Sequence, residues 1–111
     1  MPIMTDRQSV AANSVVPNAL TGKLHEFLAR PSVVRVYGCA SAVGLNVTFL
    51  LGGRSLMQDQ EINAQNRMPI VPDDVVTQGM GNAGDRLVLT LRNTTGAAIT
   101  AFSRVDVEPI A

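Results

Sequence analysis

Apolar and polar positions alternate along several short segments of the chain, and alternation with period two is typical of β-strands that bury one face. The clearest case is residues 86–92, where Leu87, Leu89 and Leu91 share one face and charged or small residues occupy the other. Weaker alternation of the same kind occurs at residues 33–40, 45–51 and 54–62. The pattern therefore predicts an all-β domain.

Two turn signals separate these strands. The Gly52-Gly53 pair predicts a two-residue hairpin turn, since both residues tolerate positive φ, and the more polar run that follows it is expected to return as an edge strand. Residues 93–96 supply turn residues between the strand at 86–92 and a second alternating run from 97 to about 107. We therefore expect the last quarter of the chain to form a β-hairpin as well.

The segment between these hairpins is predicted to be mostly loop. Pro69 and Pro72 lack backbone donors, which excludes a central strand over residues 63–74. Residues 79–85 are rich in glycine and predict a turn. With a short apolar piece at 75–77, the chain offers about six to eight strands, a number that suits an antiparallel β-sandwich or a jelly-roll-like fold.

Residues 1–20 lack a clear period, because proline and asparagine interrupt both helical and strand patterns there. The segment nonetheless carries six large apolar side chains: Ile3, Met4, Val10, Val15, Val16 and Leu20. This content is high for a solvated tail. We therefore expect an extended N-terminal arm over residues 1–20 that docks on a neighbour, with a frayed end as the alternative, and a β-sandwich domain over residues 21–111.

Charge limits the classes of partner. Nine basic and nine acidic residues leave no formal net charge, so there is no basic excess to neutralise phosphates and we expect no direct nucleic-acid binding. A surface near zero net charge favours association, which points to a homo-oligomer. No apolar run approaches the roughly 20 residues of a membrane helix, and no signal peptide is apparent. We expect a chain made in the cytoplasm, without membrane contact.

Residues that could carry chemistry are few. His25 is the only histidine and Cys39 the only cysteine, and no serine lies in a G-x-S-x-G motif, so we expect no nucleophile–base pair. One histidine and one cysteine also fall short of a structural zinc shell. Cys39 lies in an apolar run and should behave as a small buried hydrophobe. We predict no enzyme activity and no catalytic, cofactor-binding or metal-binding residue.

Two further patterns have structural explanations. Residues 79–84 match G-x-G-x-x-G, but that fingerprint needs a helix after the third glycine, and here an alternating strand follows. Five acidic residues could offer oxygen ligands to Ca²⁺, although their spacing does not match an EF-hand and turns explain them. They are Asp59, Glu61, Asp73, Asp74 and Asp85.

Four arginines fall on predicted strand positions, namely Arg35, Arg86, Arg92 and Arg104. They form either a solvated face or a contact surface, since the guanidinium group suits interfaces better than an ammonium group does. The sequence leaves both possibilities open.

Three segments punctuate the predicted strands: Pro72-Asp73-Asp74, the stretch from Gly84-Asp85-Arg86-Leu87 through Arg92-Asn93-Thr94-Thr95-Gly96 to Thr100, and Val107-Glu108-Pro109. Together with the apolar arm and the all-β body, they make residues 20–111 resemble small structural proteins of bacteriophage virions. The classes resembled are capsid decoration or cement proteins and minor capsid subunits.

The resemblance implies a non-enzymatic virion protein that assembles through its β-domain and N-terminal arm. It implies a trimer, pentamer or hexamer in contact with other virion proteins, synthesised in the host cytoplasm and located in the virion. The alternative on the same fold is a binding module for carbohydrate or a cell-surface ligand. Exposed aromatic side chains on loops would favour that alternative, and the sequence offers few.

Overall fold

β-Strands are the only regular secondary structure of the described residues, and turns and loops connect them. The computed structural model describes residues 3–22, 26–65, 67–70 and 74–110. Eight strands lie in these ranges: β1 Ile3–Val10, β2 Val15–Val16, β3 Ser32–Ala40, β4 Leu45–Leu51, β5 Arg54–Glu61, β6 Val75–Gly81, β7 Leu87–Asn93 and β8 Ile99–Pro109. Within those ranges no helix is long and apolar enough to cross a membrane.

The strands form two antiparallel sheets of four. The first sheet has the order β1-β8-β3-β6 and the second has the order β2-β7-β4-β5. Strands of the first half of the chain pair with strands of the second half: β1 with β8, β2 with β7, β3 with β6 and β4 with β5. This is the pairing of a long hairpin rolled into two packed sheets, the jelly roll. The predicted β-sandwich is confirmed.

The core lies between the two sheets and follows the alternation seen in the sequence. In β7 the side chains of Leu87, Leu89 and Leu91 are buried, and β4 buries every second residue from Leu45 to Leu51. The Gly52-Gly53 turn between β4 and β5 has positive φ at both residues, as a two-residue hairpin requires. β5 is polar and lies at the edge of the second sheet, as expected.

The predicted hairpin at the end of the chain is wrong. β7 pairs with β2 and β4 in the second sheet, whereas β8 pairs with β1 and β3 in the first sheet. Residues 94–98 therefore cross from one sheet to the other. Alternation determines which face of a strand is buried but not which strand lies beside it, and the turn-like residues at 93–96 suit a crossover as well as a hairpin.

The expected N-terminal arm is not confirmed. Residues 3–10 form β1 and pair with β8 over their full length, and Met4, Val10 and Leu20 are buried in the core. Residues 3–22 thus belong to the sandwich that was expected to begin at residue 21. The strand was hard to detect because Asp6 and Gln8 occupy inward positions and break the apolar alternation.

The predicted glycine-rich turn at 79–85 is shorter than expected, because Gly79 and Gly81 lie within β6. A side chain at Gly79 would meet Leu56, and one at Gly81 would meet Leu28 and Leu51. Glycine here permits close packing against the strand rather than a change of chain direction. The turn itself occupies only the residues after β6.

Candidate functional site

The residues singled out for chemistry do not converge. His25 and Asp73 lie outside the described residues. Asp59 and Asp85 hydrogen-bond separate neighbours, namely Arg92 and the backbone of Asn82. Among the described residues there is no group of three or more histidine, cysteine, aspartate or glutamate side chains that could hold a metal ion.

Asp74 and Cys39 take part in a structural contact. The carboxylate of buried Asp74 accepts hydrogen bonds from the backbone N–H of Ile70 at 2.8 Å and from Arg67 Nη1 at 2.5 Å. These bonds hold the pKa of Asp74 below its ordinary value, the backbone bond contributing most. Both donors belong to the loop before β6, and the backbone N–H of Gly38 on β3 attaches this loop to the first sheet by donating to the carbonyl of Asp74 at 3.3 Å.

Cys39 is fully buried, as predicted, and its sulfur lies 3.8 Å from Arg67 Nη1. Burial raises the pKa of the thiol, and the nearby carboxylate of Asp74 raises it further, whereas the guanidinium of Arg67 acts in the opposite direction. The thiol therefore stays protonated at neutral pH and is a poor nucleophile.

A groove opens between β5 and β6, the strands at adjacent edges of the two sheets. Its volume is about 480 Å³. Near the β4–β5 turn, two hydrogen bonds close it: Arg54 Nη2 donates to the carbonyl of Met80 at 2.5 Å, and Thr77 Oγ1 donates to the carbonyl of Leu56 at 3.4 Å. The groove is lined by Leu56, Met57, Gln58, Gln60, Glu61, Ile62, Asn63, Val75 and Val76. Amide and carboxylate groups above an apolar floor suit a neutral polar ligand.

A bulge lies in the part of β5 that lines this groove. Asp59 has a φ of 50°, and the register between β4 and β5 shifts beside it. Its backbone N–H donates to Thr48 Oγ1 at 2.9 Å, and its carboxylate accepts two hydrogen bonds from Arg92, from Nε at 2.9 Å and from Nη2 at 2.6 Å. The bond from Arg92 lowers the pKa of Asp59. Bulges bend an edge strand and disrupt its ladder.

The outer face of the first sheet, which points away from the core, carries arginines stacked on aromatic rings. The guanidinium of Arg7 lies 5.5 Å from the ring centre of Phe102, and that of Arg104 lies 5.9 Å from the ring centre of Tyr37. Both rings are buried although they lie outside the core. Arg104 also donates to the buried carboxylate of Asp106 at 2.7 Å.

Large apolar side chains lie at both edges of this outer face. Ile3 on β1 is 47% exposed, and Val75 and Met80 on β6 are 45% and 60% exposed. Their register partners are Asp106, Tyr37 and Val33 on the inner strands of the sheet. Arginine, methionine and aromatic residues are the types enriched in protein–protein interfaces. We call this surface the arginine–aromatic face.

The four arginines predicted on strands divide between separate surfaces. Arg35 and Arg104 lie on the arginine–aromatic face, where Arg35 pairs with Glu108 at 2.8 Å. Arg92 pairs with Asp59 on the second sheet, and Arg86 stacks on exposed Phe27. The sequence did not reveal that Arg7 and Phe102 join this face, because neighbours across a sheet are far apart along the chain.

Comparison with known proteins gave no match to a family model, to a curated protein or to a solved structure. Within the described residues, every buried polar side-chain atom has a hydrogen-bond partner. The two candidate sites are surface features: the groove between β5 and β6 and the arginine–aromatic face.

Proposed function

We propose that this protein is a non-enzymatic structural subunit of a virion, either a capsid decoration or cement protein or a minor capsid subunit. The observation that carries the proposal is the arginine–aromatic face on a jelly-roll body. The face has interface composition, and the apolar side chains of Ile3, Val75 and Met80 at its edges are about half exposed. In this role the protein works by contact with its own copies and with other virion proteins.

Covering the apolar edges of the face supplies only part of the free energy that association requires. Ile3, Val75 and Met80 are about half exposed, so covering them contributes roughly 1 kcal/mol each, given about 1.5–3 kcal/mol for a fully buried side chain. Association costs roughly 4–15 kcal/mol in lost freedom of motion. In the proposed assembly, contacts across the rest of the arginine–aromatic face supply the remainder.

Charge is compatible with self-association. The chain has no formal net charge, and on the arginine–aromatic face Arg35 and Arg104 are each paired with a carboxylate of the same chain. With two of its arginines neutralised in this way and no net charge on the chain, the face is not a strongly basic surface of the kind that binds nucleic acid. A trimer, pentamer or hexamer located in the virion remains the proposed state, with no cofactor.

Met80→Glu should reduce assembly, because it places a charge at the apolar edge of the arginine–aromatic face. We expect at least a tenfold loss of the oligomeric species, measured as mass by light scattering after size-exclusion chromatography. The matched control is Val43→Glu. Val43 is 67% exposed but lies on the β3–β4 loop, away from this face, so its substitution should leave the mass distribution unchanged.

The same measurement on the unaltered protein tests the proposal itself. A large symmetric assembly, visible by electron microscopy, is expected. A monomer at every accessible concentration would contradict it. Equal effects of Met80→Glu and Val43→Glu would show that assembly uses another surface.

The groove between β5 and β6 favours a second candidate function, a carbohydrate or cell-surface binding module. Amide groups donate and accept hydrogen bonds with sugar hydroxyls, and Gln58, Gln60 and Asn63 line the groove. No aromatic side chain is among the lining residues, so stacking on a sugar ring does not contribute. This candidate predicts a stable monomer with weak affinity.

Gln60→Ala tests this second candidate. If the groove binds sugars, the substitution should abolish signals that the unaltered protein gives on a glycan array. Gln78→Ala is the control, since Gln78 is exposed on β6 but does not line the groove. An array without reproducible signals from the unaltered protein would remove the candidate.

A further inference from the structure

β1 is weakly attached to the sandwich. It lies at the edge of the first sheet and pairs only with β8. Of its four inward positions, Met4 and Val10 are buried, while Asp6 and Gln8 are partly exposed and joined to each other by a hydrogen bond of 2.7 Å. Inward polar groups limit the apolar surface that an edge strand can bury. β1 therefore contributes much less to the core than β8 does.

The link between β1 and β2 is short and exposed. Ala11, Ala12 and Asn13 are exposed, and Asn13 has a φ of 51°, a left-handed conformation that side chains adopt at a cost. The backbone N–H of Asn13 donates to the carbonyl of Thr95 at 3.0 Å. After this link the chain enters the other sheet. This short exposed link is the only connection between β1 and the rest of the described chain, so it is where an exchange of β1 would require a change of backbone conformation.

β8 has a second partner besides β1. β8 pairs with β3 at nine positions and keeps that partner. If β1 leaves, the opposite edge of β8 exposes the backbone N–H and C=O groups that had bonded to β1. The core positions that Met4 and Val10 had filled are then empty. An edge of this kind is a template for a strand, and the strand of matching register is another β1.

We propose that β1, Ile3–Val10, is exchanged between copies, so that the β1 of one chain pairs with the β8 of a second copy. Every contact of β1 in the single chain is kept in the exchanged form, and only the link over residues 11–14 changes conformation. Exchange of an identical element is a low-cost route to oligomers. The partner is a second copy of this chain, and the inference rests on the assembly proposed above.

Cross-linking in trans tests the exchange. Ser9 and Thr100 are register partners across β1 and β8, at the separation where cysteines can form a disulfide. In a Cys39→Ala background, one chain carries Ser9→Cys and a differently tagged chain carries Thr100→Cys, and the two are co-expressed and oxidised. Exchange predicts a disulfide-linked heterodimer on non-reducing gels, at least tenfold more abundant than homodimers of either variant.

The outcome separates this inference from the proposed function. Heterodimer no more abundant than homodimer, together with an intrachain disulfide in the Ser9→Cys/Thr100→Cys double variant, would overturn the exchange. If those chains still assemble to full mass, the proposed structural role stands without it. A heterodimer that never assembles further would support the exchange and contradict the proposed role.

Discussion

Leu89→Ala is expected to lower the free energy of unfolding by about 2–5 kcal/mol, the range for removal of a large aliphatic side chain from a core. Leu89 is 1% exposed and lies in the middle of β7, between β2 and β4. Its side chain packs between the two sheets, so neighbours on both would have to move to fill the space. Interiors are packed too tightly to collapse fully around such a cavity.

Val88→Ala is the matched control for Leu89→Ala. Val88 is the preceding residue of β7, points to the opposite face and is only half-buried. We expect a loss below about 1 kcal/mol, since little apolar surface is removed from the core. Urea unfolding followed by circular dichroism measures both values. A loss below about 0.5 kcal/mol for Leu89→Ala would mean that the inward face of β7 is assigned incorrectly.

Asn93→Ala is expected to destabilise the protein by about 2–4 kcal/mol, because it removes a buried hydrogen bond to the carbonyl of Val10 and two further bonds that are partly buried. Asn93 is 1% exposed. Its Nδ2 donates to the carbonyl of Val10 at 3.0 Å and to that of Ala97 at 2.7 Å, and its Oδ1 accepts from the backbone N–H of Thr95 at 2.9 Å. One amide thus joins the end of β1 to the crossover between the sheets.

A control at an exposed asparagine separates the effect of these hydrogen bonds from the effect of losing any asparagine side chain. Asn82→Ala removes the same side chain from the exposed turn after β6, and we expect a change within about 0.5 kcal/mol. Hydrogen exchange should also show faster exchange at Val10 and in β1 for Asn93→Ala than for Asn82→Ala. Equal stability of the two variants would contradict the assigned hydrogen bonds.

Local features of the chain were predictable where one face of a strand is apolar. β4 was expected at residues 45–51 and is found at Leu45–Leu51, and the positive φ of Gly52 and Gly53 was expected from their sequence. β1 was missed because Asp6 and Gln8 stand at inward positions. An edge strand with few buried side chains leaves only a faint alternation in the sequence.

The candidate sites could not be predicted in the same way. The arginine–aromatic face joins Arg7 to Phe102, residues on β1 and β8 that lie at opposite ends of the chain. The groove lies between β5 and β6 and flanks the bulge at Asp59, whose left-handed conformation nothing in the sequence indicates. Both features arise from pairings over long sequence separation.

The sequence by itself determined the fold class, the buried faces of β4 and β7, and the turn between β4 and β5, because each of these depends on neighbours along the chain. The tertiary structure alone decided that β7 and β8 belong to different sheets, that β1 closes one edge, and that Gly79 and Gly81 lie within a strand. Side-chain alternation has the same period whatever strand lies alongside, so the choice of partner is made only when the two sheets pack and bury their faces together.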